Sequence, residues 1–464
     1  MPYVEALPYQ DPAELFSHFA DMPGSVLLDS AHASAELGRY SFIALDPFRQ
    51  LTAKNGVVQG RRVESPGLDP LEVVQQELKQ YPLAKVPELP PFQGGIAGFF
   101  AYDLCHAIEC LPKLQPDEEG YPDLALGFYD LVLAFDHQQR QAWIISSGLP
   151  FKDSVTRCKR AKLRCQWVKR KLLEQVPWNK PNTMHLPASA IQSNFTASKY
   201  LQAVQKVIEY IYAGDIFEAN IAQRFSAPWP QGLSPWHLYR RLRTLNPAPF
   251  AAYLHFGDTI LASASPERFL KLMEQKVETR PIKGTCPRGA TPLEDERKQA
   301  ALLASTKDRA ENMMIVDLLR NDLSKVCLPQ SVTVLKLCGL ESYATLHHLV
   351  SVVEGQLKPG LDAFDLLKAA FPGGSITGAP KVRAMEIIAE IEPTRRGPYC
   401  GALGYINFNG AMDTSIIIRT FVFKGQQVTF QAGGAIVADS DPEAEYEETL
   451  TKAQALRQCL TGGV

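Results

Sequence analysis

No stretch of this 464-residue chain is apolar for long enough to cross a bilayer. The opening residues, MPYVEALPYQDP, also lack a basic region followed by an apolar one. These absences predict neither a membrane-spanning helix nor a signal peptide. Charge of one sign is not in excess: 48 Lys and Arg stand against 50 Asp and Glu, a formal net charge of −2. A nucleic-acid or membrane-surface footprint needs a basic imbalance, so the balance argues against both. Nine cysteines contain no CxxC pair, Cys105 and Cys110 coming nearest. An odd, unpatterned set predicts reduced thiols and a cytoplasmic protein instead of a disulfide framework. Internal repeats and low-complexity tracts are missing too. Two glycine-rich stretches lack what nucleotide loops require. Gly94-Gly95-Ile96-Ala97-Gly98 has neither GxGxxG spacing nor a following ribose-binding acid, and reads as a tight turn between packed strands. In Gly373-Gly374-Ser375-Ile376-Thr377-Gly378, Ala379-Pro380 intervenes before Lys381 and no Ser or Thr follows that lysine, so the Walker pattern fails.

What is present is ordinary globular material, 45% hydrophobic and 21% charged. That length predicts two domains or one large layered one. Short apolar runs separated by turn residues occupy 1–150, with strands expected at Ser25–Leu28, Tyr40–Leu45, Leu124–Phe135 and Trp143–Ser146. A helix with a basic face follows over 153–174. No aromatic platform accompanies it, so it reads as a solvated face. The segment 176–194, rich in proline and polar residues, reads as a linker between an N-terminal region (1–175) and a C-terminal domain (195–460). Leu201, Val204, Val207 and Ile208 predict a helix from Thr196 to about Ala213, ended by Gly214. Asn409-Gly410 and Lys424-Gly425 each separate strand-like runs and predict hairpins. Antiparallel neighbours with flanking helices make an α+β protein.

The chemistry concentrates around Glu267 and Lys283. Phe269 to Met273 and Val277 to Ile282 read as two arms of a hairpin turning at Glu274-Gln275. A two-residue turn puts Glu267 opposite Ile282, beside Lys283. A lysine between Ile282 and Gly284 has a neighbour that permits close approach to the backbone. Desolvation there would strip its proton and make it a nucleophile. Asp308 with Glu311, and Glu445 with Glu448, each lie three apart on a helix face. Two such faces meeting suit one Mg²⁺, a hard ion that keeps several waters; helix-start acids favoured by the dipole are the plainer alternative. Arg419 is suited to gripping a carboxylate bidentately, and Gly433-Gly434 and the 373–378 segment with Thr377 to offering backbone N–H groups. Lys381 and Lys452 are either further anion contacts or surface lysines. Of His347 and His348, strand neighbours on opposite faces, one at most faces a site.

These motifs occur in one order: GDIFEANIAQRF (214–225), ASASPERFL (262–270), RPIKGT (280–285), KDRAENMMIVDLLRNDL (307–323), LHHLVSVVEG (346–355), FPGGSITGAPKVRAMEII (371–388), RGPYCGALGYI (396–406), TSIIIRT (414–420) and QAGGAIVADSDPEAEYEET (431–449). From about Phe195 to Leu456 the chain resembles the chorismate-utilising enzymes, the family of anthranilate, aminodeoxychorismate, isochorismate and salicylate synthases. Residues 1–150 resemble that family's N-terminal region more loosely. The resemblance implies two large antiparallel sheets packed face to face with helices outside. It implies Mg²⁺ on Glu311 and Glu448, with Asp308 and Glu445 acting through water. Tyr399 and Arg419 match the family's substrate contacts, and His348 an active-site histidine. Thr377, Gly433, Gly434 and Lys452 join the expected chorismate-binding set.

Within the family, the lysine of PIKGT is similar to that of the aminodeoxychorismate-forming members; anthranilate-forming members carry alanine there. The implied reaction has Lys283 attack C2 of chorismate, Glu267 protonate the departing C4 hydroxyl, and ammonia then displace the lysine. The expected ammonia source is a separate glutaminase subunit. Replacing Lys283 by alanine is expected to stop this reaction with little loss of folding. Isochorismate and salicylate synthases carry a water-activating lysine where this chain has Glu218. An anthranilate synthase remains the nearest alternative, and a catalytically silent amino-acid-binding subunit one of a different class. The family also implies a tryptophan pocket. Ser30, Leu37, Gly38, Arg39 and Tyr40 would line it from one half, and Pro249, Phe250 and Ala251 from the other. Asp29 stands where the family's LLES form has glutamate.

Overall fold

The computed structural model describes every residue except 33–36, 61–68, 113, 114, 116, 176–184, 344, 345, 463 and 464. Part of the expected linker, and of the loop before Leu37, therefore lies outside the described residues.

Alternation along the strands dictates four layers. In Val26–Asp29, Leu27 packs into one apolar cluster and Val26 into another. In Leu131–Asp136, Leu131, Leu133 and Phe135 face the first cluster while Val132 and Ala134 face the second. In Gly95–Phe100, Ala97 and Phe99 join that second cluster, whereas Ile96 and Phe100 belong to a third. Successive side chains point to opposite faces, so these sheets are buried on both sides. The shared cluster is the interior between two antiparallel sheets, of twelve and eleven strands. Helices cover the two outer faces, among them Ser154–Leu173, Pro235–Leu245 and Pro442–Thr461 on one and Pro70–Leu78, Thr306–Val326 and Ala363–Ala370 on the other. The α+β sandwich expected from the sequence is the fold.

Both sheets draw strands from both ends of the chain. Val26–Asp29 pairs with Phe250–Phe256 in the larger sheet, and Gly95–Phe100 with Ala402–Asn407 in the smaller. Gln192–Ser193, within the expected linker, pairs with Glu218–Pro228.

Local signals were legible. Thr196 caps the helix Ala197–Tyr212, accepting from the Lys199 N–H, and Gly214 follows with φ of 84°. Asn409-Gly410 and Gly425 connect paired strands. Two readings are corrected. The 94–98 glycines are not a turn: Gly95 and Gly98 lie inside a central strand with φ of 156° and 153°. A Cβ on Gly98 would stand 2.1 Å from the Ala125 carbonyl oxygen, so close strand approach excludes any larger residue. The basic helix is not wholly solvated either. Arg160 and Arg164 turn inward to the fully buried Asp130.

Candidate active site

The hairpin Arg268–Met273/Lys276–Thr279 has the expected register, Leu272 opposite Val277, with Glu274 and Gln275 both at positive φ as a two-residue turn. Continued downward, it brings the Ile282 backbone N–H to the Glu267 carboxylate. The next strand, Ile282–Pro287, pairs with Leu346–Gln356 and contains a bulge: Ile282 faces Val350, but Thr285 faces His348. One extra residue breaks alternation and re-aims the side chains around Lys283. Gly284 makes the bulge possible, with φ of 84°. A Cβ there would lie 3.0 Å from Asp308 Cβ, so the close approach its sequence suggested is that of the helix Thr306–Val326.

Lys283 is 8% exposed and donates to Glu218 Oε1 at 2.6 Å. This contact ties the smaller sheet to the larger, because Glu218 opens the strand Glu218–Pro228. Burial works against the ammonium. Glu218, Glu311 and Glu267 outweigh it together and hold Lys283 above the ordinary lysine range. The expectation of a lysine neutralised by desolvation is therefore corrected: three carboxylates from three segments keep it charged.

Glu267 is fully enclosed, and burial pushes its carboxyl up to about 7 despite Ser375 Oγ donating to Oε1 at 2.6 Å. A carboxyl at that value carries a proton half the time at neutral pH, as a general acid should. Burial likewise pushes Glu311 to about 7 against the pull of Lys283, with Glu218 adding to the rise.

The second acidic pair stands on Pro442–Thr461, opened by Asp441 as cap. Ser440 Oγ donates to Glu445 Oε1 at 2.7 Å, while Glu445 Oε2 is buried without a hydrogen-bond partner among the described residues. A Cβ on Gly434 would come within 3.1 Å of Glu445 Oε2 and 3.5 Å of Glu448 Oε1, so glycine keeps space before both acids. Lys452 Nζ bonds Glu448 at 2.5 Å and the Gly433 carbonyl at 3.0 Å. Lys307 feels Glu445, Glu311 and Glu448 at once, which brings the two acidic helices to one locus. Among the described residues no three His, Cys, Asp or Glu side chains enclose a metal by themselves. An ion here would take few protein oxygens and fill its shell with water and substrate. That is magnesium's habit, and the orphaned, oxygen-only donors suit it.

Arg419 has φ of 53°, and its guanidinium bonds the Lys452 carbonyl without an ion pair to any described residue. Burial lowers its affinity for its proton, with Tyr399 and Glu448 acting the other way. A half-buried guanidinium fork with no carboxylate against it among the described residues is suited to receive an anion. Lys381 is not a surface lysine: its ammonium is largely covered and donates to Asp322 at 2.5 Å and to the Ala370 carbonyl at 2.8 Å. Thr377 spends its hydroxyl on the Gly373 carbonyl at 3.0 Å. His348 Nδ1 meets Thr285 Oγ1 at 2.8 Å, and burial, then Arg419 and His347, push it down to about 3, so its ring is neutral. His347 turns instead to Asp295, at 2.9 Å. Sequence reasoning missed Ser375, and weighed Glu218 only for not being lysine. A buried acid opening a strand carries no periodic signal.

A separate cavity of about 450 Å³ lies between the sheets. Ser30, Leu37, Gly38, Arg39, Tyr40, Pro249, Phe250 and Ala251 all line it, with Arg268, Lys271 and Asp413 across from them. Ser30 Oγ donates to the Tyr40 carbonyl at 2.6 Å, Arg39 pairs with Asp136, and the Arg268 guanidinium lies 5.1 Å from the Phe250 ring centre. Asp29 is engaged by Tyr239 and Arg243.

A buried acid and lysine, an arginine without an ion partner among the described residues and two acidic helix faces share one locus, the arrangement of an enzyme site that receives an anion. The chain belongs to the chorismate-binding enzyme family, whose model matches residues 25–458. It is 42% identical over 461 residues to aminodeoxychorismate synthase component 1 of Salmonella typhimurium, covering 98% of this chain and 97% of that one. It is also 42% identical over 440 residues to anthranilate synthase component 1 of Thermus thermophilus, covering 94% and 92%. Anthranilate synthase component I from Streptococcus pneumoniae superimposes with a TM-score of 0.80 at 32% identity, over 92% of this chain and 93% of that one. No helix among the described residues is long and apolar enough to cross a membrane.

Proposed function

We propose that this chain is a transferase-type chorismate enzyme that replaces the C4 hydroxyl with ammonia, giving 4-amino-4-deoxychorismate for 4-aminobenzoate and folate synthesis. The observation that carries this reading is Lys283, a buried amine hydrogen-bonded to Glu218 and beside the protonatable Glu267. Lys283 attacks C2, the two ring double bonds each move one position, and the C4–O bond breaks. Glu267 protonates the departing hydroxyl, as its raised affinity for protons allows. Arg419 and Tyr399 hold a substrate carboxylate, with Lys452 and the Gly433–Gly434 backbone beside them, and neutral His348 acts as a hydrogen-bonding partner. Ammonia then bonds to C4 and the lysine leaves.

The word "component" in the Salmonella relative's name points to a second subunit, and a glutaminase delivering ammonia is the partner this chemistry needs. Nine free thiols accord with a reducing cytoplasm. Turnover of chorismate with ammonium, read by mass, tests the whole reading. Aminodeoxychorismate supports it; anthranilate with pyruvate assigns the other reaction, and no turnover a silent binding subunit.

Glu311 and Glu448 would hold magnesium, with Asp308 and Glu445 acting through water. Bound there, the ion offsets substrate carboxylate charge and favours loss of the hydroxyl electrostatically. Glu311→Gln and Glu448→Gln are each expected to lose magnesium-dependent turnover. Full turnover by EDTA-treated protein would remove the site.

The cavity between the sheets suits tryptophan as a structural ligand. Tyr40 and Phe250 supply ring faces, and Ser30 and backbone groups the polar ends. Extensively dialysed protein is then expected to release tryptophan on denaturation, or to melt higher in millimolar tryptophan. A ligand at a hundred times its Kd adds about 2.7 kcal/mol. Neither release nor shift would mean the cavity is not a tryptophan site.

A further inference from the structure

Resting on the reading of Lys283 as nucleophile, we propose that Glu218 is the base that takes the lysine's proton before attack and returns it afterwards. The geometry singles out this carboxylate. An ammonium has no lone pair with which to attack, and Lys283 is enclosed, so the proton must go to a neighbour in contact. Glu218 Oε1 is that contact, at 2.6 Å. The Glu267 oxygens are already engaged by Ser375 and the Ile282 N–H, and that group must arrive protonated to release the hydroxyl. Glu311 influences Lys283 only through its charge.

Glu218 is also built to be held still. It is fully buried, and Asn220 Nδ2 donates to the same Oε1 at 3.2 Å. Its strand is paired with Gly378–Ala379, where glycine permits the close approach: a Cβ on Gly378 would lie 2.1 Å from the Glu218 carbonyl oxygen. The other oxygen, Oε2, is buried without a hydrogen-bond partner among the described residues. A carboxylate needed only to neutralise a lysine would be expected to satisfy both oxygens. An orphaned oxygen costs less once the group is a neutral acid.

The step balances. Lys283 Nζ–H₃⁺ gives one proton to Glu218 and becomes Nζ–H₂. Its lone pair forms the C2–N bond while the C4–O bond breaks, and the proton of Glu267 leaves with the oxygen as water. Ammonia bonds to C4, the C2–N pair returns to Nζ, and Glu218 reprotonates it. The new C4 ammonium restores the proton of Glu267.

The test is single-turnover formation of the Lys283 adduct from chorismate without ammonia, followed by intact mass. Glu218→Gln, which keeps an acceptor oxygen but cannot take a proton, is expected to slow it by roughly 10²- to 10⁴-fold. Glu218→Asp, which keeps a base one methylene further away, should fall between. Equal or faster adduct formation in Glu218→Gln would overturn the proposal, because Glu218 would then only hold the lysine charged. Should the glutamine variant not fold, difference infrared spectra of wild type decide. A protonated carboxyl band should appear with the adduct and move in Glu218→Asp; no gained band overturns the proposal. A wild type that never forms the adduct instead sinks the lysine mechanism itself.

Discussion

Lys283→Ala is expected to cut aminodeoxychorismate formation by a factor on the order of 10⁴ or more, the scale on which loss of a covalent nucleophile is felt. Any residual product is expected to include anthranilate, since the change restores the PIAGT form. The structure adds a second effect that the sequence did not suggest. Removing the lysine leaves Glu218 buried with Asn220 as its one side-chain donor among the described residues. Breaking a buried pair from one side costs roughly 3–5 kcal/mol. Little loss of folding is therefore no longer the expectation for the single variant. Adding Glu218→Gln should recover most of that stability without restoring turnover, which separates the two roles. Wild-type turnover in Lys283→Ala would take the lysine out of the reaction. Equal melting temperatures for the single and double variants would show that the pair's charge was not what mattered.

Glu267→Gln should likewise lower kcat by roughly 10²- to 10⁴-fold, because glutamine cannot protonate the departing hydroxyl. It should at the same time stabilise the protein at alkaline pH. The folded carboxyl binds its proton more tightly than the unfolded one, at about 7 against an ordinary 4.5. Stability from this group is thus complete below about pH 4.5, declines as pH rises, and is lost above about 7. The gap between about 7 and 4.5 corresponds to roughly 3 kcal/mol. Urea unfolding of both proteins at pH 4.5 and pH 8 checks this: near equality at the lower pH, and a more stable variant at the higher. For turnover, the Glu267-dependent limb falls as pH passes about 7. A wild type that loses stability relative to the glutamine variant as pH drops through this range would contradict the assignment.

The trade is physical. Enclosure makes Glu267 an acid at neutral pH and makes its ionised form costly to keep. Activity and stability there have a single cause, so no substitution is expected to improve both.

Much of the fold was legible because its signals are local. Thr196 as cap, Gly214 as stop, and Glu274-Gln275 as a turn each act within a few residues. The hairpin register that set Glu267 opposite Ile282 follows from a two-residue turn and a period of two, both readable in order. The acidic faces of Asp308 with Glu311 and Glu445 with Glu448 followed from helical spacing, and the family motifs named the residues before any coordinate did.

The sequence by itself determined most of the local elements, their alternation and the family, and through that resemblance the sandwich. Tertiary structure alone decided which sheet the 94–98 glycines cross, because only packing against Ala125 shows that a strand, not a turn, needs them. It also decided the charge of Lys283. Desolvation and Coulomb energy depend on distance in space, and Glu218 lies 65 positions away in the chain yet 2.6 Å away in the fold.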